Sequence, residues 1–329
     1  MSDLPKFVHI REVGPREGFQ FEKQPITTQD KIAFVDALSG TGAKSIEFVS
    51  FVSPKWVPQM ADAEPWVKGI RKAPGVEYIG IWLNLQGLDR ALKLRDVITI
   101  RPGFTATASE TFSMKNTNKT VQQRLDEMPD YAERFRELGF DFLNFGVSTA
   151  FGCNYEGEIG CERIMGLIGE MEARARDLGM KMGDITLLDT MGWANPLQIK
   201  RVVGSVRERW PEHRVALHLH DTRGLAIANF VAALELGVDR FDAAVAGLGG
   251  CPFSAHQGAA GNICTEDTVF ICQEMGIETG IDLDRMIDVA EEAERLVGHP
   301  LPGKVKVGGN LATYRARSKA AAPTGVPAG

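Results

Sequence analysis

The sequence predicts an α/β fold, a (β/α)8 TIM barrel with extra C-terminal helices packed on the barrel, and three observations lead there. Eight apolar, strand-like runs recur along the 329 residues, each followed by turn residues and then by a helical period. Several of the helical segments stop at Leu-Gly, as at Leu138-Gly139, Leu178-Gly179 and Leu236-Gly237, where a glycine can end a helix. The residues at the ends of the apolar runs turn polar and reactive together, and the carboxyl ends of strands are where such barrels gather their chemistry.

Taken in order, residues 8–13 form the first run, which breaks at Gly14-Pro15. Its helix spans 28–38, opened by a Thr27 or Thr28 cap and ended at Gly40 to Gly42. Further strand-like runs lie at 45–51, 77–84, 96–100, 142–148, 184–188, 214–220 and 240–246. Helical periods at 64–72, 88–93, 120–138, 162–178, 196–209 and 225–236 separate them. After the eighth strand, 266–275 and 283–297 read as amphipathic helices that must bury one face on the barrel. The expected domain therefore covers 1–298, followed by an extension over 299–329 whose Ala-, Pro- and Gly-rich end, from 318, predicts disorder.

Composition excludes several function classes. Lys and Arg total 37 against 43 Asp and Glu, for a net charge of −6, so no basic face is implied for nucleic acid or an anionic membrane. The short polar stretch 1–6 runs straight into a strand, which predicts neither a signal nor a transit peptide and a cytoplasmic location. No apolar run approaches the length of a membrane span. The five cysteines, Cys153, Cys161, Cys251, Cys264 and Cys272, are odd in number and lack CxxC spacing, against a disulfide framework or a thiolate zinc site. Any important cysteine here is a reactive thiol.

The chemistry centres on Leu217-His218-Leu219-His220-Asp221. Side chains alternate along a strand, so His218 and His220 project to one face while Leu217 and Leu219 pack behind them. Asp221-Thr222-Arg223-Gly224 then turns the chain into the next helix. Paired imidazoles beside carboxylates suit a divalent cation, with Mg, Mn, Co and Zn all compatible. Other strand ends converge on the same mouth: Arg16-Glu17-Gly18, Glu47 with Ser50 and Ser53, Asn84, Ser148-Thr149, Asp189-Thr190, Cys251, and Asn262 one loop later. Singly, each has a plainer reading: Glu47 or Asp189 as an ion-pair partner of Arg16, Asn84 as a helix cap, Cys251 as a packed apolar group. Their joint placement is what points to a site.

Four segments carry a family resemblance: Val13-Gly14-Pro15-Arg16-Glu17-Gly18, Ser50-Phe51-Val52-Ser53-Pro54-Lys55-Trp56-Val57-Pro58-Gln59-Met60, His218-Leu219-His220-Asp221-Thr222 and Gly247-Leu248-Gly249-Gly250-Cys251-Pro252. Over roughly residues 7–298 the chain resembles the 3-hydroxy-3-methylglutaryl-CoA lyases, metal-dependent enzymes on a TIM barrel. The resemblance implies retro-Claisen cleavage of a branched 3-hydroxyacyl-CoA to acetyl-CoA and a keto acid. It implies His218, His220, Asn262 and Glu17 as ligands of a divalent cation, Mg or Mn before Co or Zn. It further implies Arg16 as the stabiliser of the enolate oxygen, Cys251 and His218 as candidates for proton transfer, and Glu47 and Asp189 close to the ligands.

Three departures from the family pattern fall beside the reactive centre. Glu17 stands where these lyases carry Asp, the Cys251 loop is about two residues longer and contains His256, and Arg223 stands where Tyr is frequent. The longer glycine-rich loop reads as a mobile lid, and Arg223 as a partner for a substrate carboxylate, Asp221 or Glu17. Alternatives from other classes are a lyase for citramalyl-CoA or a longer branched glutaryl-CoA, an acetyl-CoA-condensing synthase, and a non-catalytic barrel binding metal or acyl-CoA. Lys55, Lys115 and Lys119, on loops after strands two and four, are candidates to meet CoA phosphates. The apolar faces after strand eight suit a homodimer.

Overall fold

Eight parallel strands curl around one axis in the computed structural model, which describes residues 4–249 and 261–321, with side chains as far as 316. They are β1 (His9–Glu12), β2 (Ser45–Ser50), β3 (Glu77–Ile81), β4 (Gly103–Thr107), β5 (Phe142–Ser148), β6 (Lys181–Leu188), β7 (Val215–His218) and β8 (Arg240–Ala243). Their order, β3-β2-β1-β8-β7-β6-β5-β4, pairs the first strand with the last, as a (β/α)8 barrel requires. Among the described residues no ladder pairs β3 with β4; the bridge Ile79–Thr99 instead ties β3 to the segment before β4, with the Thr99 amide donating to the Tyr78 carbonyl at 2.7 Å.

The fourth strand differs from expectation. Residues 96–100 are β-branched and apolar, but the amides of Val97 and Ile98 turn back onto the Leu94 carbonyl at 2.9 and 2.8 Å. The strand itself begins beyond Pro102, at Gly103. The period read over 120–138 is two helices, Val121–Leu125 and Met128–Glu137, because Pro129 has no N–H to continue the first and fits the opening turn of the second. Two further helices, Gly14–Phe19 and Glu110–Thr117, were not expected from periodicity. Elsewhere the punctuation matches: Thr27 caps the Thr28–Ser39 helix, and Gly139, Gly179 and Gly237 take positive φ. The helices Thr265–Glu274 and Leu283–Val297 follow β8, the second burying Met286, Val289, Ala290 and Ala293. The helix Leu311–Ala321 covers the start of the Ala-rich tail. No helix among the described residues is long and apolar enough to cross a membrane.

Apolar side chains such as Val8, Ile46 and Phe48 are buried, while the lumen carries polar and charged side chains among apolar ones. Arg11, Thr105, Asn144, Thr186 and Asp242 line an internal cavity of about 630 Å³ that reaches up to Arg16, Glu17 and His218. The alternation of the strands thus delivers charge to the barrel axis while the hydrophobic faces hold the shell of helices.

Two buried carboxyls on the far side of β1 and β8 shape the turns that lead into the mouth. Glu12 accepts from the Gly14 amide at 2.7 Å, the Val245 amide at 3.0 Å and the Thr265 hydroxyl at 2.5 Å. Glu266 accepts from the Ala246 amide at 2.9 Å. Burial, and then the neighbouring Asp267, push the Glu266 carboxyl up to about 8. A glutamate in the unfolded chain releases its proton near pH 4.5, so the folded state holds the extra proton between those values. Stability from this group is therefore complete below the lower value and lost as pH rises through the upper one. Glu266→Gln is expected to leave the melting temperature nearly unchanged at pH 4.5, to raise it part of the way by pH 6, and to raise it by about 5 °C over the parent at pH 9. Parallel melting curves across that pH range would refute the assignment.

Candidate active site

The turn after β1 places the first two site residues. Pro15 pre-sets φ for the opening of the Gly14–Phe19 helix, whose first turn carries Arg16 and Glu17 over the barrel mouth. Gly14 is required there, since an added Cβ would lie 2.6 Å from Glu12 Oε1. β7 delivers His218, and His220 follows in an antiparallel bridge with Asn262, which brings a residue distant in sequence to the same point. Gly249, at φ +107, lets the chain pass Asn262, because a Cβ would come within 2.6 Å of its Nδ2.

These residues form one buried cluster. His218 Nε2 lies 3.1 Å from His220 Nε2 and 3.5 Å from Glu17 Oε2, and His220 Nε2 lies 4.0 Å from the same oxygen. Asn262 Nδ2 donates to Glu17 Oε2 at 2.5 Å and to the Leu248 carbonyl at 3.1 Å, while its buried Oδ1 has no partner among the described residues. Donor atoms held about 2.1 Å from a six-coordinate cation stand roughly 3 Å apart when adjacent and 4.2 Å when opposite, and the observed separations fall in that range. Two facing ring nitrogens, a carboxylate and an idle amide oxygen thus fit a hard divalent ion. Glu17, His218 and His220 are the three-residue group of the described chain that meets the spacing for a metal site.

Arg16 borders this cluster. Its Nε donates to Glu47 Oε1 at 2.7 Å, its Nη2 contacts the same oxygen, and its Nη1 lies 2.9 Å from Glu17 Oε1. Three of the five guanidinium N–H groups can serve these contacts, leaving two for a ligand. Burial alone would raise the Glu17 carboxyl, but Arg16 and then His218 hold it well below the ordinary carboxylate range. Burial would depress His218, yet Glu17 and Asp242 pull it up to about 10; burial and the neighbouring His218 push His220 down to about 4. The shared proton therefore rests on His218 and leaves His220 a neutral donor, and a bound cation would displace that proton.

Asp189 sits one strand over. Its Oδ1 accepts from the Trp193 and Ala194 amides at 2.7 and 3.1 Å, and its buried Oδ2 has no partner among the described residues. Burial pushes this carboxyl up to about 7. It does not pair with Arg16, whose carboxylate partners are Glu47 and Glu17. Arg223 pairs with neither Asp221 nor Glu17: its Nη1 donates to the Met191 and Gly192 carbonyls at 3.0 and 2.9 Å, and Asp221 instead caps the Ala226–Leu234 helix through the Ala226 amide. Asn84 is a helix cap, accepting from the Gly87 amide at 2.9 Å. Lys119 pairs with Glu127, while Lys55 and Lys115 lie over the Trp56 and Tyr155 rings at 5.4 and 4.9 Å. Cys251 and His256 lie outside the described residues.

Sequence reasoning missed Asp242 and Arg11. Asp242 Oδ2 bonds His218 Nδ1 at 3.0 Å, and Arg11 grips Asp242 through two bonds of 2.8 and 2.6 Å. The available signal was strand alternation, which puts both on the lumen face.

The HMGL-like family model matches residues 7–292. A hydroxymethylglutaryl-CoA lyase of Bacillus subtilis is 37% identical over 91% of this chain and 96% of its own length. A 3-hydroxy-3-isohexenylglutaryl-CoA/hydroxymethylglutaryl-CoA lyase of Pseudomonas aeruginosa is 37% identical over 90% of this chain and 95% of the relative. Among solved structures, an HMG-CoA lyase from Acinetobacter baumannii in complex with coenzyme A and 3-methylmalate superposes with a TM-score of 0.83 at 38% identity, covering 94% of this chain and 97% of that one. Barrel, buried donor cluster and near-full-length similarity agree, and the chain belongs to the HMGL-like family of hydroxymethylglutaryl-CoA lyases, carbon–carbon lyases on a TIM barrel.

Proposed function

We propose that this protein cleaves 3-hydroxy-3-methylglutaryl-CoA to acetyl-CoA and acetoacetate with the help of one divalent cation held by Glu17, His218, His220 and Asn262. The observation that carries the reading is the meeting of the Glu17, His218 and His220 donors, with the Asn262 amide against Glu17, beside the Arg16 guanidinium at the mouth of a cavity. Two imidazoles, a carboxylate and an amide oxygen with positions left for substrate suit Mg or Mn before Co or Zn. When bound, such a cation acidifies the tertiary hydroxyl and polarises the carbonyl that forms from it.

The protein's own groups supply the rest. Asp189, with a free buried oxygen and a carboxyl raised to about 7, is suited to take the hydroxyl proton. His218 is a poorer carrier while it serves as a ligand, because Nδ1 is engaged by Asp242 and Nε2 faces the donor cluster. Breaking the bond between C2 and C3 leaves its electron pair on the acetyl-CoA enolate, and the two unused N–H groups of Arg16 stabilise that oxygen. Cys251 is the candidate to return a proton to the enolate carbon. Glu47 holds Arg16 in place from the side opposite Glu17. The extra methylene of Glu17 is compatible with this role, since its Oε2 lies 4.0 Å or less from His218, His220 and Asn262.

The test is acetyl-CoA release from 3-hydroxy-3-methylglutaryl-CoA and, separately, from citramalyl-CoA by metal-stripped protein given Mg or Mn. Cation-dependent turnover of the first compound is expected. Turnover of the second alone would keep the reaction and reassign the substrate. Free thiol release from acetyl-CoA plus a keto acid would indicate a synthase, and metal binding with no turnover of either compound would indicate a binding barrel.

A further inference from the structure

We infer that Arg11, inside the barrel below the mouth, is a positioning residue that locks the metal-binding half of the site to the enolate-binding half. Six side chains close a ring of alternating charge character. Glu17 contacts Arg16 at 2.9 Å, Arg16 binds Glu47 at 2.7 Å, and the other Glu47 oxygen faces Arg11 Nη1 at 3.7 Å. Arg11 then binds Asp242 through Nε and Nη2, Asp242 Oδ2 bonds His218 Nδ1 at 3.0 Å, and His218 Nε2 returns to Glu17 at 3.5 Å. Arg11 is the member that touches neither the donor cluster nor Arg16 itself, yet it holds the carboxylates behind both.

The two carboxylates need such a partner. The side chains of Glu47 and Asp242 are only 4% and 6% exposed, and two uncompensated anions that deep would move apart or take up protons. A planar guanidinium bonded to both oxygens of Asp242 also fixes the plane of that carboxylate, and with it the direction from which His218 Nδ1 is held. Carboxylate partners behind a ligating imidazole set its tautomer and ring angle. Arg11 thus acts one step further back, and it does so for His218 and, through Glu47, for Arg16. Lysine would preserve the charge but present a single ammonium in place of the fork.

The experiment compares the parent with Arg11→Lys by Mn titration of metal-stripped protein, by kcat and KM, and by thermal melting. The expected result is a Mn dissociation constant raised about 10-fold and kcat lowered about 10-fold, with KM within threefold and the melting temperature within about 3 °C. Asp242→Asn should weaken Mn binding similarly, and the double variant should be no worse than Asp242→Asn alone, because Arg11 reaches His218 only through Asp242. Arg11→Lys with parental Mn affinity and kcat would overturn the inference, as would additive losses of Mn affinity in the double variant. Should Arg11→Lys not fold, Arg11→Gln combined with Asp242→Asn, which removes both charges, carries the test: Mn affinity at the parental level would overturn the inference. The kcat arm rests on the lyase reading, whereas Mn affinity needs no substrate, so a failed substrate assignment and a failed role for Arg11 are separable.

Discussion

Arg16→Met is expected to lower kcat by about 10²–10³-fold while leaving Mn affinity within about threefold of the parent. The guanidinium is where a fixed positive charge can meet the oxygen that gains charge as acetyl-CoA departs, and it is already held from two sides by Glu47 and Glu17. Charge held in place before reaction requires no reorganisation when the carbon–carbon bond breaks, which is why one such group contributes so much. Metal binding should survive because the cation itself neutralises Glu17, and Arg11 still faces Glu47. Methionine keeps the apolar stem, so the fold should persist. Near-parental turnover would remove Arg16 from the chemistry and make it a structural partner of two acids.

Glu17→Ala should weaken Mn binding by more than about 100-fold, beyond what loss of an outer partner costs. Glu17 Oε2 is the hub of the cluster, within 2.5 Å of Asn262 Nδ2, 3.5 Å of His218 and 4.0 Å of His220. Without it the remaining donors are neutral, and a dication gains far less from them than from a carboxylate. Glu17→Asp should retain affinity to within about tenfold, because the shorter side chain needs only a small shift of the ion. Unchanged affinity in Glu17→Ala, measured by competition with a chelator, would mean that the carboxylate only orients Asn262 and Arg16.

Much of the architecture was legible because it rests on local periodicity. Seven of the eight strand positions, the Leu-Gly helix stops and the two apolar helices after β8 follow from alternation, capping and amphipathic spacing. β4 was misplaced for a physical reason: its lumen face is Gly103, Thr105 and Thr107, so it carries little apolar signal, while the neighbouring Val97, Ile98 and Ile100 carry a strong one, the first two turning back onto Leu94. The Gly14–Phe19 helix was invisible because its composition reads as a turn, and tertiary contacts such as Gly18 against Leu248 and Gly14 against Glu12 outweigh propensity.

At the site, the residues that end strands were readable, since polar groups at strand ends stand out against apolar runs. Their pairing was not. Asn262 reaches His220 through a bridge spanning 42 positions, and Arg223 turns to the carbonyls of Met191 and Gly192, away from the donor cluster. Arg11 and Asp242 sit in mid-strand, where alternation places them in the lumen, but the usual expectation of an apolar barrel interior hides them. Here charged groups enter the lumen among apolar ones, and the carboxylate behind His218 is supplied from inside it.

The most direct test of the account is a titration of metal-stripped protein with Mn, following bound metal and cleavage of 3-hydroxy-3-methylglutaryl-CoA in the same samples. Activity is predicted to rise in proportion to occupancy and to saturate at one ion per chain, with both lost together in Glu17→Ala. Full activity in stripped protein, or occupancy of one ion without any cleavage, would contradict a cation held by Glu17, His218, His220 and Asn262 as the agent of this reaction.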